Sequence, residues 1–570
     1  MNLKTNTSII LFTAILFFAA CSAKPKTSNS SSDNGQQTSN GLTEWQNQKF
    51  SMFIHFGLYS VPGGVWKGKQ IGEYNEQIMA HAKIPKAEYR ELANLFNPVN
   101  WNPDSVVALA KSAGMKSIVI TSKHHDGFAM YHTKHSDFNV VDATPYKRDI
   151  LKELSDACKK QGLRFGVYFS LIDWNFPGAM PMSKHNSDSI PPSHHQLNLN
   201  QVKELMTNYG PISEVWFDMG KPTLEQSREL AQLVKKFQPD CLVSGRIWND
   251  QGDFAVMGDN ASPDFRVGTP WQTPASIFHE TWGYRSWQVR KDPYQKAVEK
   301  LTTLVKIVSN GGNYLLNIGP MGNGGIVPFE REVLTTIGTW FKSNGKAIYN
   351  TRPSPLPEQA WGVMTTKPQH LYLFLLDPPK DGILELKGLR SKPSGAYLLS
   401  DEKQRVGINY VNGSYTLNTS GLDSDDLVKV IALEYEGELQ YTPSNILTNS
   451  ADGSFELTAK NSTKYHSYSG KDYSDTKPTV IKMEWFIEQA DKGDYKLQFE
   501  SAASDKGKQV NLTINGVHHE LTLNGESSQP YQKDVVLDTK KFNSIQVSLA
   551  DKSNPHKDME LEGLRIRLKK

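Results

Sequence analysis

Two spacings of hydrophobic residues alternate along the chain from Trp45 onward. Short β-branched and aromatic runs, typical of buried strands, are separated by longer stretches in which apolar residues recur every three or four positions, typical of amphipathic helices. Strands that alternate with helices over about 300 residues predict a parallel sheet, and at this length a (β/α)8-type barrel is the leading architecture. Only seven strands are convincing, so we expect an irregular or incompletely closed barrel. The predicted strands are 49–59, 116–122, 164–170, 212–218, 242–246, 276–282 and 313–319, and the predicted helices include 86–96, 104–113, 149–161, 224–237, 294–308 and 328–341.

The run Ile212–Asp218 is the clearest of these strands. Successive side chains of a strand face opposite ways, so Glu214, Trp216 and Asp218 share one side and two apolar residues share the other. A carboxylate at the C-terminal end of an enclosed strand is costly unless it is paired or used. Asp218 is therefore a candidate functional residue, and an ordinary turn-capping Asp is the alternative.

Polar and aromatic residues occur at the ends of six predicted strands. The C-terminal ends of barrel strands form one rim, where barrel enzymes carry their chemistry, so these side chains are expected to meet. Imidazole, guanidinium, phenol and carboxylate groups bind hydroxyls, and Trp216 and Trp282 can cover apolar C–H faces, which together favour a sugar ligand. Glu76, in the long loop after the first strand, is a further candidate for this site. The residues at the strand ends are His55, His124, His125, Tyr168, Asp218, Arg246 and Trp282.

A metal centre is the competing interpretation of the run His124-His125-Asp126. Neighbouring residues of an extended chain point in opposite directions, so the two imidazoles are poorly placed to bind one ion. The sequence contains no His-x-His, no His-Glu-x-x-His and no paired cysteines at zinc spacing. The glycine-rich segments 309–313 and 322–325 lack the Lys and Ser/Thr of a phosphate loop and indicate tight turns. We therefore expect neither a metal nor another cofactor.

The pattern of apolar and polar residues changes after about residue 350 to short alternating runs with turn residues between them. This pattern predicts a β-sandwich over 351–440, after a catalytic barrel over 41–350, and a further β-rich domain over 441–570. A length of 570 residues suits two to four domains. The chain is 38% hydrophobic and 22% charged with a net charge of +3, so no nucleic-acid partner is implied.

The N-terminus indicates export and anchoring. Lys4 precedes an apolar run from Ile9 to Ala20, which is too short to span a bilayer comfortably and is typical of a signal peptide over residues 1–20. Phe18-Ala19-Ala20-Cys21 resembles a bacterial lipoprotein cleavage box, which would leave Cys21 lipidated on a flexible tether over 21–40. This predicts a lipid-anchored protein of the bacterial cell envelope, and a plain secretory signal is the alternative. The other two cysteines, Cys158 and Cys241, are expected to be free core thiols.

Six segments in the predicted barrel resemble the α-L-fucosidases of glycoside hydrolase family 29. They follow the order of that family, and the His-His-Asp-Gly-Phe and Leu-Leu-Asn-Ile-Gly-Pro pieces are the most specific. The resemblance covers about residues 41 to 350 and extends through the sandwich to about 440. The segments are Lys49–Ser60, Lys123–Phe128, Thr144–Asp149, Val215–Asp218, Trp282–Tyr284 and Asn313–Pro320.

This resemblance implies a retaining exo-hydrolase that releases terminal α-L-fucose from glycans without a cofactor. Asp218 matches the attacking nucleophile of the family. The second carboxyl of a retaining enzyme lies about 5–5.5 Å from the first and protonates the leaving oxygen. The positions on or near the sugar-binding residues of the family are His55, Glu76, His124, His125, Tyr168, Trp216, Arg246 and Trp282.

The proton donor is the residue that the resemblance fixes least. Many family members carry a Trp-Glu pair ahead of the Trp-Gly-Tyr motif, but this chain has Gln272, whose amide cannot act as an acid. We expect a carboxyl from the segment between Arg246 and Trp282, which carries Asp250, Asp253, Asp259, Asp264 and Glu280. Ser262-Pro263-Asp264 resembles the Thr-Pro-Glu segment of related enzymes, so Asp264 is the leading candidate. Glu280, on the face of Trp282 if 276–282 is a strand, is the second.

Two alternatives to a general fucosidase stay open at this level. The first is an α-L-galactosidase, or a fucosidase specialised for decorated, for example sulfated, fucose-containing glycans. The second is an inactive fucan-binding surface lipoprotein, which Gln272 and the additional β domain favour. The role of residues 441–570, carbohydrate-binding or structural, is also open, and the sequence predicts no oligomeric state.

Overall fold

The structure is a computed structural model that describes residues 40–179, 181, 189–488, 493–525, 531–537, 542–550, 558–559, 561 and 563–569. An eight-stranded parallel sheet forms the first part of the chain. Numbered along the chain as barrel strands 1 to 8, its members follow the order 5-4-3-2-1-8-7-6 across the sheet. They are Phe50–Ile54, Ser117–Lys123, Arg164–Ser170, Glu214–Asp218, Leu242–Val243, Ala255–Val256, Trp271–Ser276 and Asn313–Ile318.

The two edges of this sheet, barrel strands 5 and 6, meet at a single parallel bridge between Ser244 and Phe254. The amide of Asp253 also donates to the carbonyl of Val243 at 2.8 Å. Each of the two strands has only two residues, so the seam is short. The TIM-like barrel is therefore irregular at this seam, which agrees with the irregular barrel expected from only seven convincing strands in the sequence.

Helices cover the barrel except near the seam. Their ends follow local chemistry: Thr223 and Gln226 form a reciprocal capping box, and the Asp149 carboxylate accepts from the amide of Lys152. Only the 3-10 turn Gly245–Ile247 links strands 5 and 6, and a loop without a helix links strands 6 and 7. The helices are Asn40–Gln48, Ile78–His81, Lys86–Arg90, Pro103–Ser112, Ile150–Gln161, Pro192–Asn208, Leu224–Phe237, Pro293–Ser309 and Pro328–Asn344.

Two aspects of the predicted element boundaries are wrong. The predicted strand 276–282 is instead Trp271–Ser276 followed by a loop. Pro274 lies inside this strand, a position that proline seldom occupies, so the sequence does not indicate the strand. The predicted strands 49–59 and 242–246 end sooner, at Ile54 and at Val243, where the chain turns into 3-10 segments. The predicted strand 164–170 and helix 224–237 match the structure residue for residue.

A pair of antiparallel sheets follows the barrel and encloses a core of its own. Six strands form one sheet, and Ile383–Leu386, Gly407–Val411 and Ser414–Asn418 form the other. This part of the chain thus has the layered organisation predicted for a sandwich. The strands of the larger sheet are Arg352–Pro353, Gly362–Lys367, His370–Leu375, Pro393–Leu398, Asp401–Arg405 and Lys429–Tyr435.

The C-terminal β region, residues 446–569, contains two more sheets around a third core. The four-stranded sheet consists of Phe455–Thr458, Gly493–Glu500, Tyr531–Leu537 and Arg565–Lys569. One edge of the seven-stranded sheet is not from this region: it is Arg266–Val267, from the loop between barrel strands 6 and 7. The other strands of that sheet are Ile446–Leu447, Thr463–Ser469, Lys477–Ile487, Gln509–Ile514, Val517–Thr522 and Asn543–Leu549.

The predicted signal peptide, Cys21 and most of the tether lie outside the described residues. Among the described residues, none of the helices has the length and apolar character needed to cross a membrane.

Candidate active site

A cavity of about 230 Å³ opens at the C-terminal ends of the barrel strands. All eight residues predicted to bind a sugar line it, together with Asp218. They come from the ends of barrel strands 1 to 5 and from the loops after barrel strands 1 and 7, which is the convergence expected of a barrel rim. The lining residues are Phe53, His55, Glu73, Tyr74, Glu76, Gln77, His81, His124, His125, Tyr168, Trp216, Asp218, Met219, Arg246, Asp259 and Trp282.

Asp218 is the last residue of barrel strand 4, and its side chain is buried against the cavity. Its Oδ2 accepts a hydrogen bond from the phenol of Tyr168 at 2.8 Å. Its Oδ1 accepts from Nη1 of Arg246 at 3.0 Å. These two hydrogen bonds fix the orientation of the carboxylate at the cavity wall.

Arg246 joins Asp218 to a second carboxylate. While Nη1 contacts Asp218, Nη2 of the same guanidinium pairs with Asp259. Two carboxyls that contact the two terminal nitrogens of one guanidinium lie close to each other, and retaining glycosidases need two carboxyls about 5–5.5 Å apart. The guanidinium also lies 4.9 Å from the Trp216 ring centroid, which fixes its plane.

His55 and His125 are neutral imidazoles with a fixed partner on one nitrogen. Burial, the largest cause in both cases, lowers the pKa of each to about 3. Nδ1 of His125 lies 2.7 Å from Oγ of Ser170, whose own hydrogen is donated to the carbonyl of Ile172. A hydroxyl has one hydrogen, so His125 must donate through Nδ1, and its Nε2 is left as an acceptor.

The same reasoning applies to His55. Its Nδ1 lies 2.7 Å from Oδ1 of Asn317, whose amide group donates to the carbonyl of Trp282. The amide oxygen can only accept, so Nε2 of His55 is again an acceptor. His124 stacks on the Tyr168 ring at 5.4 Å, and burial lowers its pKa well below the ordinary value. The cavity therefore offers imidazole acceptors for hydroxyl hydrogens.

Aromatic rings form the inner wall of the cavity. Trp216 stacks on Tyr168 at 5.7 Å, and Phe53 packs against Trp216 at 5.2 Å and Trp282 at 6.1 Å. Nε1 of Trp216 donates to Oε1 of Gln272 at 3.0 Å. Gln272, excluded as a proton donor by its chemistry, is thus a buried residue that orients the indole.

Glu76 lies in the cavity wall, but one oxygen is already used. Its Oε2 accepts from the amides of Trp282 at 3.1 Å and Gly283 at 2.9 Å, and so fixes the segment that carries the Trp282 ring. Burial raises the pKa of Glu76 to about 7. The other carboxyl oxygen is the one that a sugar could use.

The two predicted proton donors do not line this cavity. Asp264 is exposed and borders a separate cleft, because the chain turns at Asn260, which has a φ of +56°, and then runs toward the C-terminal β region. Glu280 is exposed in the loop after barrel strand 7, since 276–282 is not a strand. Of the carboxylates between Arg246 and Trp282, Asp259 is the one that lines the cavity.

Sequence reasoning also missed the outer rim. Glu73, Tyr74, Gln77 and His81 line the cavity from the loop after barrel strand 1. They have no motif of their own, and only their proximity to Glu76 could have pointed to them. Within the described residues we find no group of three or more His, Cys, Asp or Glu side chains arranged to hold a metal ion.

Comparison with known proteins identifies the family. The family model described as α-L-fucosidase matches residues 17–346, more than half of the chain. The tissue α-L-fucosidase of Bos taurus is 31% identical over 366 residues, which cover 60% of this chain and 77% of that protein. The plasma α-L-fucosidase of Homo sapiens is 31% identical over 372 residues, which cover 60% and 78%.

Solved structures give the same answer for a larger part of the chain. The α-L-fucosidase of Vibrio sp. strain EJY3 has a TM-score of 0.67 and 28% identity, over 94% of this chain and 98% of that one. An α-L-fucosidase of Bacteroides thetaiotaomicron has a TM-score of 0.64 and 26% identity, over 71% and 98%, and was solved as a trapped covalent intermediate with 2-fluoro-fucosyl fluoride. The chain therefore belongs to the α-L-fucosidase family of retaining glycoside hydrolases.

Proposed function

We propose that Asp218 is the nucleophile and Asp259 the general acid and base in the hydrolysis of terminal α-L-fucosyl residues. The observation that carries this assignment is the Arg246 guanidinium, which contacts both carboxylates at the wall of one cavity. A retaining glycosidase needs two carboxyls at close range, and among the described residues Asp218 and Asp259 are the cavity carboxylates that one cation bridges. Asp259 replaces Asp264 as the candidate because of its position alone.

In the first step an oxygen of Asp218 attacks C1 of the fucosyl residue, and the bond from C1 to the leaving oxygen breaks. Asp259 gives its proton to that oxygen, which leaves as an alcohol. In the second step Asp259 takes a proton from water, and the hydroxide formed attacks C1 and releases Asp218. Two inversions give fucose with its original configuration.

The neutral imidazoles fit the hydroxyls of the sugar. The acceptor nitrogens of His55 and His125 suit hydroxyl hydrogens, and these bonds strengthen as charge develops on the ring. Fucose carries a methyl group where related hexoses carry a hydroxymethyl, and Phe53 and Trp282 supply an apolar wall for it. A cavity of about 230 Å³ holds one sugar ring, which supports release of terminal residues.

The location of the enzyme is a separate part of this proposal. The apolar run Ile9–Ala20 followed by Cys21 supports a lipid anchor in the bacterial envelope. Fucosylated glycans outside the cell are then the accessible substrates.

Azide rescue tests the proton donor. Without its acid and base, Asp259→Ala should still form the covalent intermediate from an aryl α-L-fucoside with a good leaving group, and azide should then give α-L-fucosyl azide. Asp264→Ala, a carboxylate removed from the same loop, is the matched control and should hydrolyse unactivated fucosides normally. If Asp264→Ala is the variant that needs azide, Asp259 is not the donor.

A further inference from the structure

The loop that carries Asp259 is built into the C-terminal β region. After Asp259 the chain leaves the barrel, and Arg266–Val267 pairs in parallel with Tyr465–His466 as the edge strand of the seven-stranded sheet. The amide of Gly268 donates to the carbonyl of His466 at 2.8 Å. The proton-donor loop is thus held by main-chain hydrogen bonds to a part of the chain some 200 residues away along the sequence.

Side chains reinforce this pairing. The rings of Phe265 and His466 lie 5.0 Å apart, and Oγ1 of Thr269 lies 3.4 Å from Oγ of the buried Ser467. At Gly268 an added Cβ would lie 3.1 Å from Cβ of Tyr465 and 3.2 Å from Cδ1 of Ile481, so the backbones approach each other closely. A side chain at position 268 would require these neighbours to move by a few tenths of an ångström.

The same region contacts the segment after Arg246. Trp248, Asn249 and Asp250 all have positive φ, a conformation that persists only where the surroundings hold it. The amide of Asn249 donates to the carbonyl of Gly470 at 3.0 Å. A second cavity, of about 180 Å³, is lined by Arg246 and Gly258 from the barrel loops and by Tyr468 and Thr476 from the C-terminal β region, among others. The C-terminal β region therefore lies next to the residue that bridges the two carboxylates.

The loop of the nucleophile is the third contact. Lys221, three residues after Asp218, pairs through Nζ with Oδ2 of the buried Asp472 at 3.4 Å. The loops that follow Asp218, Arg246 and Asp259 therefore each meet the C-terminal β region between residues 465 and 476. These are the loops of the two carboxylates and of the guanidinium between them.

We propose that the C-terminal β region positions the proton donor, and that Gly268 and His466 are positioning residues for Asp259. The inference rests on the proposed role of Asp259. Geometric tolerance in acid catalysis is narrow, since a displacement of about 1 Å can cost 10²-fold in rate. The loop between barrel strands 6 and 7, which carries Asp259, contains no helix of its own. Its pairing with the seven-stranded sheet fixes its position instead.

The test is the dependence of kcat/KM on the leaving group in the full-length enzyme. Gly268→Val should push the edge strand from Tyr465 and lower kcat/KM about 10- to 100-fold for a fucosyl disaccharide, whose leaving oxygen needs a proton. For 2,4-dinitrophenyl α-L-fucoside, whose leaving group needs none, kcat/KM should change less than about two-fold. His466→Ala, a milder change, should show the same dependence to a smaller degree.

Two matched controls separate positioning from folding. Gly421→Val adds the same atoms at a turn where an added Cβ meets nothing within 4 Å, and His518→Ala removes an exposed imidazole from the opposite edge of the same sheet. Both should behave as the wild type on both substrates. Equal losses by Gly268→Val on the two substrates, or no loss, would overturn the positioning role.

Asp259→Asn distinguishes this failure from failure of the proposed function. If Asp259→Asn shows the strong leaving-group dependence and Gly268→Val and His466→Ala do not, the donor stands and the positioning role falls. If Asp259→Asn itself loses activity equally on both substrates, Asp259 is not the donor and the inference falls with it.

Discussion

At the residue scale, the two carboxylates differ in what surrounds them. Asp218 accepts hydrogen bonds from Tyr168 and Arg246, two donors that fix its orientation. Asp259 shares only the guanidinium among the contacts of its side chain that the structure records, and it lies in a loop rather than at a strand end. A fixed nucleophile and an acid on a loop are consistent with the two roles, because only the acid must both give and take a proton.

Asp218→Gly should leave a folded protein whose turnover of an aryl α-L-fucoside is lower by several orders of magnitude, since covalent catalysis is removed. Thermal unfolding provides the check on folding, because the side chain is at the cavity wall and its loss leaves the core intact. Azide should now give only the β product. Retention of more than about a tenth of wild-type turnover would contradict the nucleophile assignment.

The element scale shows what a pattern can and cannot predict. The alternation in Ile212–Asp218 predicts that Trp216 and Asp218 share one side of the strand, and both line the cavity, because a strand has a fixed period of two. The two-residue strand Ala255–Val256 is too short to show an alternation of apolar and polar side chains. Pro274 lies inside barrel strand 7, and a proline in a sequence normally argues against a strand. The sequence favours Asp264 over Asp259, because Ser262-Pro263-Asp264 resembles a known segment. That resemblance does not predict the turn at Asn260, which directs Asp264 away from the cavity.

Glu214 illustrates a second limit of the pattern. The alternation predicts that Glu214 shares a face of the strand with Trp216, but it does not predict which side chains Glu214 contacts. In the barrel its Oε2 accepts from Nε1 of Trp45 at 3.3 Å and from Nε2 of Gln272 at 3.4 Å. Burial raises its pKa from the ordinary 4.5 to about 7. The carboxyl beneath Trp216 is therefore largely neutral below neutral pH.

This shift makes stability depend on pH with a definite sign. The folded pKa lies above the unfolded one, so the native state holds the proton more tightly, and the stabilisation is complete below about pH 4.5 and lost as the pH rises through about 7. Between these values wild type should lose about 1.4 kcal/mol per pH unit relative to Glu214→Gln, and above them the difference should level off. Unfolding of both proteins across pH 5 to 8 measures it. A difference that does not vary with pH would contradict the buried neutral carboxyl.

At the scale of the whole molecule, the β sheets after the barrel are not equivalent. The sandwich core is formed by residues between Leu356 and Tyr435, whereas one edge strand of the C-terminal β region comes from the loop between barrel strands 6 and 7. The choice left open by the sequence, between a carbohydrate-binding module and a structural spacer, acquires a third answer. On the proposal that this region holds the loops of Asp218, Arg246 and Asp259, it contributes to the reaction through their positions, and none of its described residues lines the active-site cavity.

The N-terminal segment carries a prediction of where the enzyme works. Cys21 lies outside the described residues, but its place after Phe18-Ala19-Ala20 predicts that signal cleavage leaves it as a lipidated first residue. One acyl chain binds a membrane only reversibly, and several chains on one cysteine anchor it stably.

Wild-type protein expressed in a bacterium should therefore partition into the detergent phase of a Triton X-114 extract, and Cys21→Ala should not. Cys158→Ala, which removes a buried thiol from the helix Ile150–Gln161, is the matched control and should stay with the wild type. If wild type and Cys21→Ala both appear in the aqueous phase with the same processed N-terminus, the protein is secreted by a plain signal and acts on fucosylated glycans without an anchor.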